Sequence, residues 1–381
     1  MKKSFIYADN AATTKLNNAA FEAMKPFLLD DFSNPSQPYS FSRQSRKAIK
    51  ESRKIIAECI GAEPDEIFFT SGGTESDNWA IKCFGRQSEK KTIITSEIEH
   101  HAVINACESV NKETTVNYIS VDRYGLVNKD ELKTLLISEP VDLISASNCL
   151  VSIMLANNEI GTIQDIKELA KIVHQYGAMF HTDAVQAVGH ISIDVKELGV
   201  DMLSASAHKF NGPKGVGFLY IKKGALIQPF HNGGSQEFSM RAGTENVAGI
   251  VGMAIALKES CSFIQQNTIH LTELEKSLVN ILKAGGVDFI RNGANNHLPG
   301  NVNISIRNAN GEMLLHRLDL MGIYISTGSA CDSVNNQVSH VVKAIRVPQE
   351  YAEGTIRITL NHENTLEDVI QIGNAIAKIL A

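Results

Sequence analysis

The chain has 381 residues, 43% of them hydrophobic and 20% charged, with a formal net charge of -6. This is the composition of a globular protein long enough for two domains; the acidic balance, without a basic tract, argues against a nucleic-acid partner, and no apolar run is long enough to span a bilayer. Met1-Lys2-Lys3 leads into a short mixed segment ending at Asp9-Asn10, so no secretory signal is expected, and the six cysteines (59, 83, 107, 149, 261, 331) include no Cys-x-x-Cys pair and no zinc spacing, as suits reduced thiols in a cytoplasmic protein.

Phe5 to Thr14 reads as a short extended piece entering a loop, and the Pro- and Ser-rich run from Ser33 to Ser40 must be loop. Helical spacing predicts a helix over Ser42–Cys59, stopped by Gly61 and Pro64. Ile67 to Ile81 reads as a strand, a Gly-Gly turn and a helix with Thr74 or Ser76 near its start; such a helix N-terminus either binds an anion through backbone N–H groups or is simply capped. Strands and helices then alternate. Strands are predicted at Thr92–Thr95, ending in Glu99-His100-His101, at Leu150–Leu155, ending in Asn157-Asn158-Glu159, and at Ala178–His181, ending in Asp183. A helix is predicted over Asp165–Tyr176. The strand Met202–Ala205 ends in Ser206-Ala-His-Lys209, followed by a glycine-rich turn and a strand from Val216 to Ile221. This order predicts an α/β fold with a largely parallel sheet and helices on both faces. Ligands in such sheets bind outside the carboxyl ends of the strands, where these polar residues converge. Past Val247 a long helical segment (Ala248–Gln266, then Leu271–Ala284) precedes strands at Val302–Ile306, Ile323–Ser326 and Thr355–Thr359, a smaller α+β domain that the N-terminal segment joins.

A phosphate-binding turn, a strand-end aspartate and a strand-end lysine together call for a cofactor with a phosphate, a protonatable ring nitrogen and an aldehyde; pyridoxal 5'-phosphate fits. Lys209 is the candidate covalent anchor and Asp183 the partner of the ring nitrogen. Gly73, Thr74, Ser206 and His208 are candidates for the phosphate, His100 for the ring face, and Asn158 and Gln186 for the ring oxygen. Taken singly, each also reads as ordinary structure: Asp183 as a helix N-cap, a strand-end histidine or asparagine as a satisfied polar group.

Ser71-Gly-Gly-Thr-Glu-Ser-Asp-Asn78, Glu99-His100, Asn157-Asn-Glu-Ile-Gly161, Asp183-Ala-Val-Gln186, Ser206-Ala-His-Lys209, Arg241-Ala-Gly-Thr-Glu-Asn246, Leu298-Pro-Gly-Asn-Val-Asn303 and Ser326-Thr-Gly-Ser-Ala-Cys331 resemble the cysteine desulfurases, class V aminotransferase-type enzymes of pyridoxal fold-type I. The resemblance runs from Tyr7 to Asp368. It implies a large cofactor-binding domain (15–254) with a mostly parallel seven-stranded sheet, and a small domain (1–14 and 255–381) carrying a catalytic-cysteine loop at about 327–339. It implies that Cys331 accepts sulfur from L-cysteine as a persulfide, leaving L-alanine. Before that step Lys209 removes the Cα proton, and Arg357, with Asn158, binds the substrate carboxylate. His100 becomes a candidate to take the thiol proton, because a free thiol with a pKa near ~8.5 is only a few per cent thiolate at neutral pH. Thr244 resembles the position that reaches a neighbouring subunit's phosphate, which implies a homodimer with shared sites and no metal. The setting of Cys331 agrees with its role: about five polar residues on either side allow excursions on the order of 15 Å toward a sulfur-acceptor protein.

Two segments depart from the family pattern. Asn34-Pro-Ser-Gln-Pro-Tyr39 lacks a histidine that often follows Asn-Pro-Ser-Ser, and Gly233-Gly-Ser-Gln-Glu-Phe-Ser239 loses an arginine and two glycines. The chain stops at Leu380-Ala381 without the extension some members use to dock iron–sulfur scaffolds, so a tRNA-thiolation enzyme stands beside the scaffold as expected acceptor. A selenocysteine lyase or another class V aminotransferase-type enzyme is the alternative. Reading Phe210 to Gly217 as a nucleotide phosphate loop fails for want of a Gly-Lys-[Ser/Thr] ending and a following helix.

Overall fold

The computed structural model describes residues 5–85, 90–138, 148–327 and 338–381. Its strands are β1 (Ile6–Tyr7), β2 (Ile67–Thr70), β3 (Lys91–Ser96), β4 (Thr114–Ile119), β5 (Cys149–Ser152), β6 (Met179–Asp183), β7 (Met202–Ser206), β8 (Gly217–Ile221), β9 (Phe289–Arg291), β10 (Asn301–Ile306), β11 (Ile323–Tyr324) and β12 (Thr355–Thr359). The helices are α1 (Asn18–Leu29), α2 (Arg43–Ile60), α3 (Gly73–Cys83), α4 (His101–Glu108), α5 (Lys129–Ser138), α6 (Ile166–Gln175), α7 (Val195–Leu198), α8 (Val247–Ser262), α9 (Ile264–Ala284), α10 (Gly311–Asp319), α11 (His340–Ala344), α12 (Gln349–Ala352) and α13 (Leu366–Leu380).

Seven strands form one sheet in the order β2-β8-β7-β6-β5-β3-β4. From β7 to β4 every pairing is parallel, while β8 runs antiparallel to both its neighbours. Strands β5 to β8 are buried at every position. A strand covered on both faces loses the in–out alternation, which is why these segments read as short continuous runs. Trp79 and Ala80 of α3 and Val103 and Ala106 of α4 pack on one face. On the other, Ile56 and Ile60 of α2, Leu169 and Val173 of α6 and Ile250 and Met253 of α8 join the main core. A second core gathers Leu278, Ile304, Ile356 and Ile372 around the antiparallel sheet β12-β10-β9, and Ile6 and Ala8 belong to it. The N-terminal segment reaches it because β1 pairs in parallel with β11 and Asp9 bridges to Thr359. No single helix among the described residues is long and apolar enough to cross a membrane.

Two expectations shift. The helix predicted over 248–266 ends at Ser262, and α9 starts at Ile264 with its axis turned by 67°. Gln265-Gln266-Asn267 continues that new helix because Leu271, Leu274, Leu278 and Leu282 supply its buried face. The strand predicted to reach Leu155 stops at Ser152, since the Met154 N–H leaves the ladder for the Glu99 carboxylate (3.0 and 3.1 Å). Helix α3 starts at Gly73, with Thr74 and Ser76 near its start as expected and Gly72 at its cap.

In the divergent 233–239 segment, Glu237, Phe238 and Ser239 all have left-handed backbones (φ 44°, 57° and 66°), a conformation that costs non-glycine residues roughly 1–2 kcal/mol each. The cost is offset by buried contacts. Arg53 clamps both carboxylate oxygens of Glu237 (2.8 and 2.6 Å), which also accepts the Phe69 N–H at 2.8 Å. The guanidinium lies over the rings of Phe69 and Phe238.

Candidate active site

Parallel strands deliver their carboxyl ends to one side of the sheet, and the turns that follow them line a cavity of about 260 Å³. Gly73 and Thr74 come from the turn after β2, His100 from β3, Asn158 from β5, Asp183 and Gln186 from β6, and Ser206, His208 and Lys209 from β7; Arg357 enters from β12. These ten predicted residues share one cavity. Thr244 does not: it is exposed and lines a separate cavity with Ser71 and Arg241. Cys331 lies outside the described residues.

Lys209 closes a single turn of 3-10 helix directly after β7. Its Nζ donates to the carbonyls of Ala11 (2.6 Å) and Ala12 (2.9 Å), and Gln186 Nε2 also donates to Ala11 at 2.9 Å. His208 Nδ1 meets Thr13 Oγ1 at 3.0 Å. The N-terminal segment thus forms one wall, which no strand-end reasoning could supply. Arg357 is 3% exposed; it donates to Asp9 Oδ1 at 2.7 Å and to the Asn158 carbonyl at 2.9 Å, and its Nε has no hydrogen-bond partner among the described residues. A buried guanidinium with donor capacity to spare is prepared for an anionic ligand.

Two carboxylates share the cavity, and their surroundings separate them. Burial pushes Asp183 up to about 6, opposed by the Val185 N–H (2.9 Å) and the charge of Lys209, so it is ionised at neutral pH. Asp183 caps no helix; it closes a local turn. Asp77 is pushed far above the carboxylate range by burial and by the charge of Asp183, so it stays neutral. Behind it, the Ser152 hydroxyl meets His181 Nδ1 at 2.8 Å, His181 Nε2 meets Ser204 Oγ at 2.9 Å, and Ser204 hydrogen-bonds Asp77. Asp77 and His181 escaped the sequence reading because one lies a turn inside a helix and the other mid-strand, away from the strand ends.

His100 caps α4: its Nδ1 accepts the Ala102 N–H at 3.1 Å, so the neutral ring carries its hydrogen on Nε2. Burial, and then the charge of Lys209, lowers its pKa to about 4. In this geometry the acceptor nitrogen of His100 is occupied and the ring offers a donor; the expected transfer of a thiol proton to His100 involves Cys331, which lies outside the described residues.

Acid stability follows from these groups. His100, His181 and His208 stay neutral in the fold down to about pH 4, 3 and 4, against an ordinary 6.5. The unfolded chain therefore binds more protons below pH 6.5, and their contribution is lost as pH falls. Glu99, raised by burial to about 8, Asp183, raised to about 6, and Asp77, raised well above the carboxylate range, act oppositely, losing stability as pH rises toward their folded values. With His190, also lowered by burial, the four histidines outnumber these three acids, so the Tm of the cofactor-free chain should fall as pH is lowered from 6.5 to 4.5. A Tm that is flat or rises over that range, measured by scanning calorimetry, contradicts this balance.

The family model for class V aminotransferases matches residues 6–372. The chain is 50% identical over 371 residues to the cysteine desulfurase IscS of Dictyoglomus turgidum, covering 96% of this chain and 92% of the relative. The chain belongs to the class V aminotransferases, among the cysteine desulfurases. A solved NifS-like protein superposes with a TM-score of 0.89 at 37% identity, covering 99% of both chains. A structure described as SspA in complex with cysteine superposes with a TM-score of 0.80 at 34% identity, covering 93% of this chain and 98% of that one.

Cysteine desulfurases use pyridoxal phosphate, and this cavity fits it. Gly72, at φ 150°, gives α3 no side-chain cap, leaving the first N–H groups of an 11-residue helix for a phosphate. A Cβ at Gly73 would lie 2.5 Å from Val185 Cγ2, so only glycine brings the backbone this close to the cavity floor. Glu75 fixes the same turn: it accepts the Ser71 N–H at 2.8 Å and pairs with Arg241 Nε at 2.8 Å, which ties α3 to the segment that carries Thr244.

Proposed function

We propose that this cysteine desulfurase divides its chemistry between Lys209, which anchors pyridoxal phosphate and moves the substrate's Cα proton, and Cys331, which removes the sulfur. The observation that supports the reading is the convergence of Lys209, Asp183, the Gly73 turn and Arg357 on one cavity. Bound pyridoxal phosphate supplies an electron sink for the charge that develops at the substrate Cα. Asp183, ionised and buried, holds a proton on the ring nitrogen. Gly73, Thr74, Ser206 and His208 hold the phosphate, with Thr244 serving the partner subunit of a homodimer. Asn158 and Gln186 hold the ring oxygen.

Arg357 takes the carboxylate of L-cysteine, fixed from behind by Asp9 and the Asn158 carbonyl. Lys209 removes the Cα proton and returns a proton at carbon. The Cys331 thiolate then attacks the substrate sulfur: an S–S bond forms, the Cβ–S bond breaks, and its electron pair stays on carbon, which takes a proton to give L-alanine. His100, through Nε2–H, stabilises negative charge on sulfur in this step. The persulfide passes to an acceptor protein, an iron–sulfur scaffold or a tRNA-thiolation enzyme. The test is product analysis: the loaded enzyme should release alanine from L-cysteine in step with transferable sulfur and consume no keto acid. Amino transfer to a keto acid overturns the reading.

Arg357→Lys keeps the charge but loses the planar fork. It should lower kcat/KM for L-cysteine by about a hundredfold, mainly through KM, since spoiling a buried charge-assisted contact costs about 2–5 kcal/mol. An unchanged KM refutes the assignment.

A further inference from the structure

The turn that carries Lys209 is held at every carbonyl. The Ala207 carbonyl accepts from the N–H groups of Phe210 (3.1 Å) and Gly212 (2.8 Å), and that of Asn211 from Asn17 N–H at 2.9 Å. The His208 carbonyl accepts from Thr14 N–H (2.9 Å) and Oγ1 (2.8 Å), and the Phe210 carbonyl from Ser260 Oγ at 3.2 Å. The carbonyl of Lys209 itself accepts from His190 Nε2 at 2.9 Å. His190 ends the turn that starts at Asp183, so one segment faces the cofactor cavity with Asp183 and grips the lysine backbone from behind. Gly189 makes the approach possible: at φ 80°, an added Cβ would lie 2.7 Å from Phe210 Cβ. Burial lowers the His190 pKa, so the ring is neutral and the observed contact keeps the hydrogen on Nε2.

His190 also lines a second cavity, of about 530 Å³, with Asn211, Glu259, Phe263, His270 and His362. His362 is exposed, so this cavity is reached from solvent on the far side of the lysine turn.

We propose that His190 is the positioning residue of Lys209, fixing the lysine's peptide carbonyl so that only its side chain moves between the Ala11 and Ala12 carbonyls and the reacting centre. Proton transfer at carbon tolerates little misplacement: an error of about 1 Å can cost about a hundredfold. The inference rests on the proposed catalytic role of Lys209, but its first test does not.

In the cofactor-free chain, His190→Ala should speed hydrogen exchange at the Phe210 and Gly212 amides by about tenfold, because both donate within the turn that His190 holds. His190→Gln, which puts an amide donor where Nε2 stands, should exchange like the native chain. In the loaded enzyme, His190→Ala should lower kcat by about tenfold with KM within about twofold. Millimolar imidazole should restore the rate by entering through the second cavity. Unchanged exchange in His190→Ala overturns the proposal, as does equal impairment of His190→Gln or failure of imidazole to rescue. If His190→Ala does not fold, His190→Gln decides: native kcat supports the role and a tenfold loss refutes it. An active Lys209 variant would sink the catalytic reading while leaving the exchange result standing.

Discussion

Lys209→Ala should turn over L-cysteine at least about a thousandfold more slowly than the native enzyme, because one side chain carries both the covalent anchor and the proton transfers, and acid–base catalysis alone is worth about 10²–10⁴. The fold should survive. The side chain contributes two hydrogen bonds to the Ala11 and Ala12 carbonyls, and each is worth only about 1 kcal/mol net. Lys209→Arg sharpens the test. It keeps the charge and the donors but cannot give up its proton, so it should be as inactive as the alanine variant. Borohydride treatment should fix the cofactor's mass to the native chain at residue 209 and to neither variant. Retention of a tenth of native turnover by Lys209→Arg would remove the proton-transfer role.

Cys331→Ser should abolish persulfide and sulfide formation from L-cysteine while leaving cofactor binding intact. A serine oxygen cannot take the sulfane sulfur, and no cofactor-binding assignment depends on residue 331. Cys331 lies outside the described residues, so this expectation rests on Ser326-Thr-Gly-Ser-Ala-Cys331 and its polar surroundings. It also separates the main reading from a selenocysteine lyase, which would release selenium from selenocysteine without the thiol. Native sulfide release by the serine variant would favour the alternative.

The sheet and the strand-end residues were legible because a parallel sheet converts sequence order into position. The apolar runs that form parallel strands end on the same side, so Gly73, His100, Asn158, Asp183 and Lys209 had to meet. Arg357 could not be found this way. It lies mid-strand in β12, and only the pairing of that strand with β10 and the bridge from Asp9 to Thr359 carry it to the cavity. The wall made by Ala11 and Ala12 depends on the same long-range pairing. Asp77 and His190 were silent for another reason: each is an ordinary polar residue until its neighbours are known. That the His100 ring offers a donor in this geometry turns on which ring nitrogen caps α4, a choice that a spacing pattern does not encode.

The central claim is that sulfur leaves through Cys331 after Lys209 has moved the Cα proton. Incubation with sulfur-labelled L-cysteine, followed by peptide mass mapping without reductant, tests it most directly. The account predicts one added, labelled sulfur on the peptide containing Cys331, formed in step with alanine and absent in Lys209→Ala. Alanine and free labelled sulfide produced at full rate with an unmodified Cys331 peptide would contradict it.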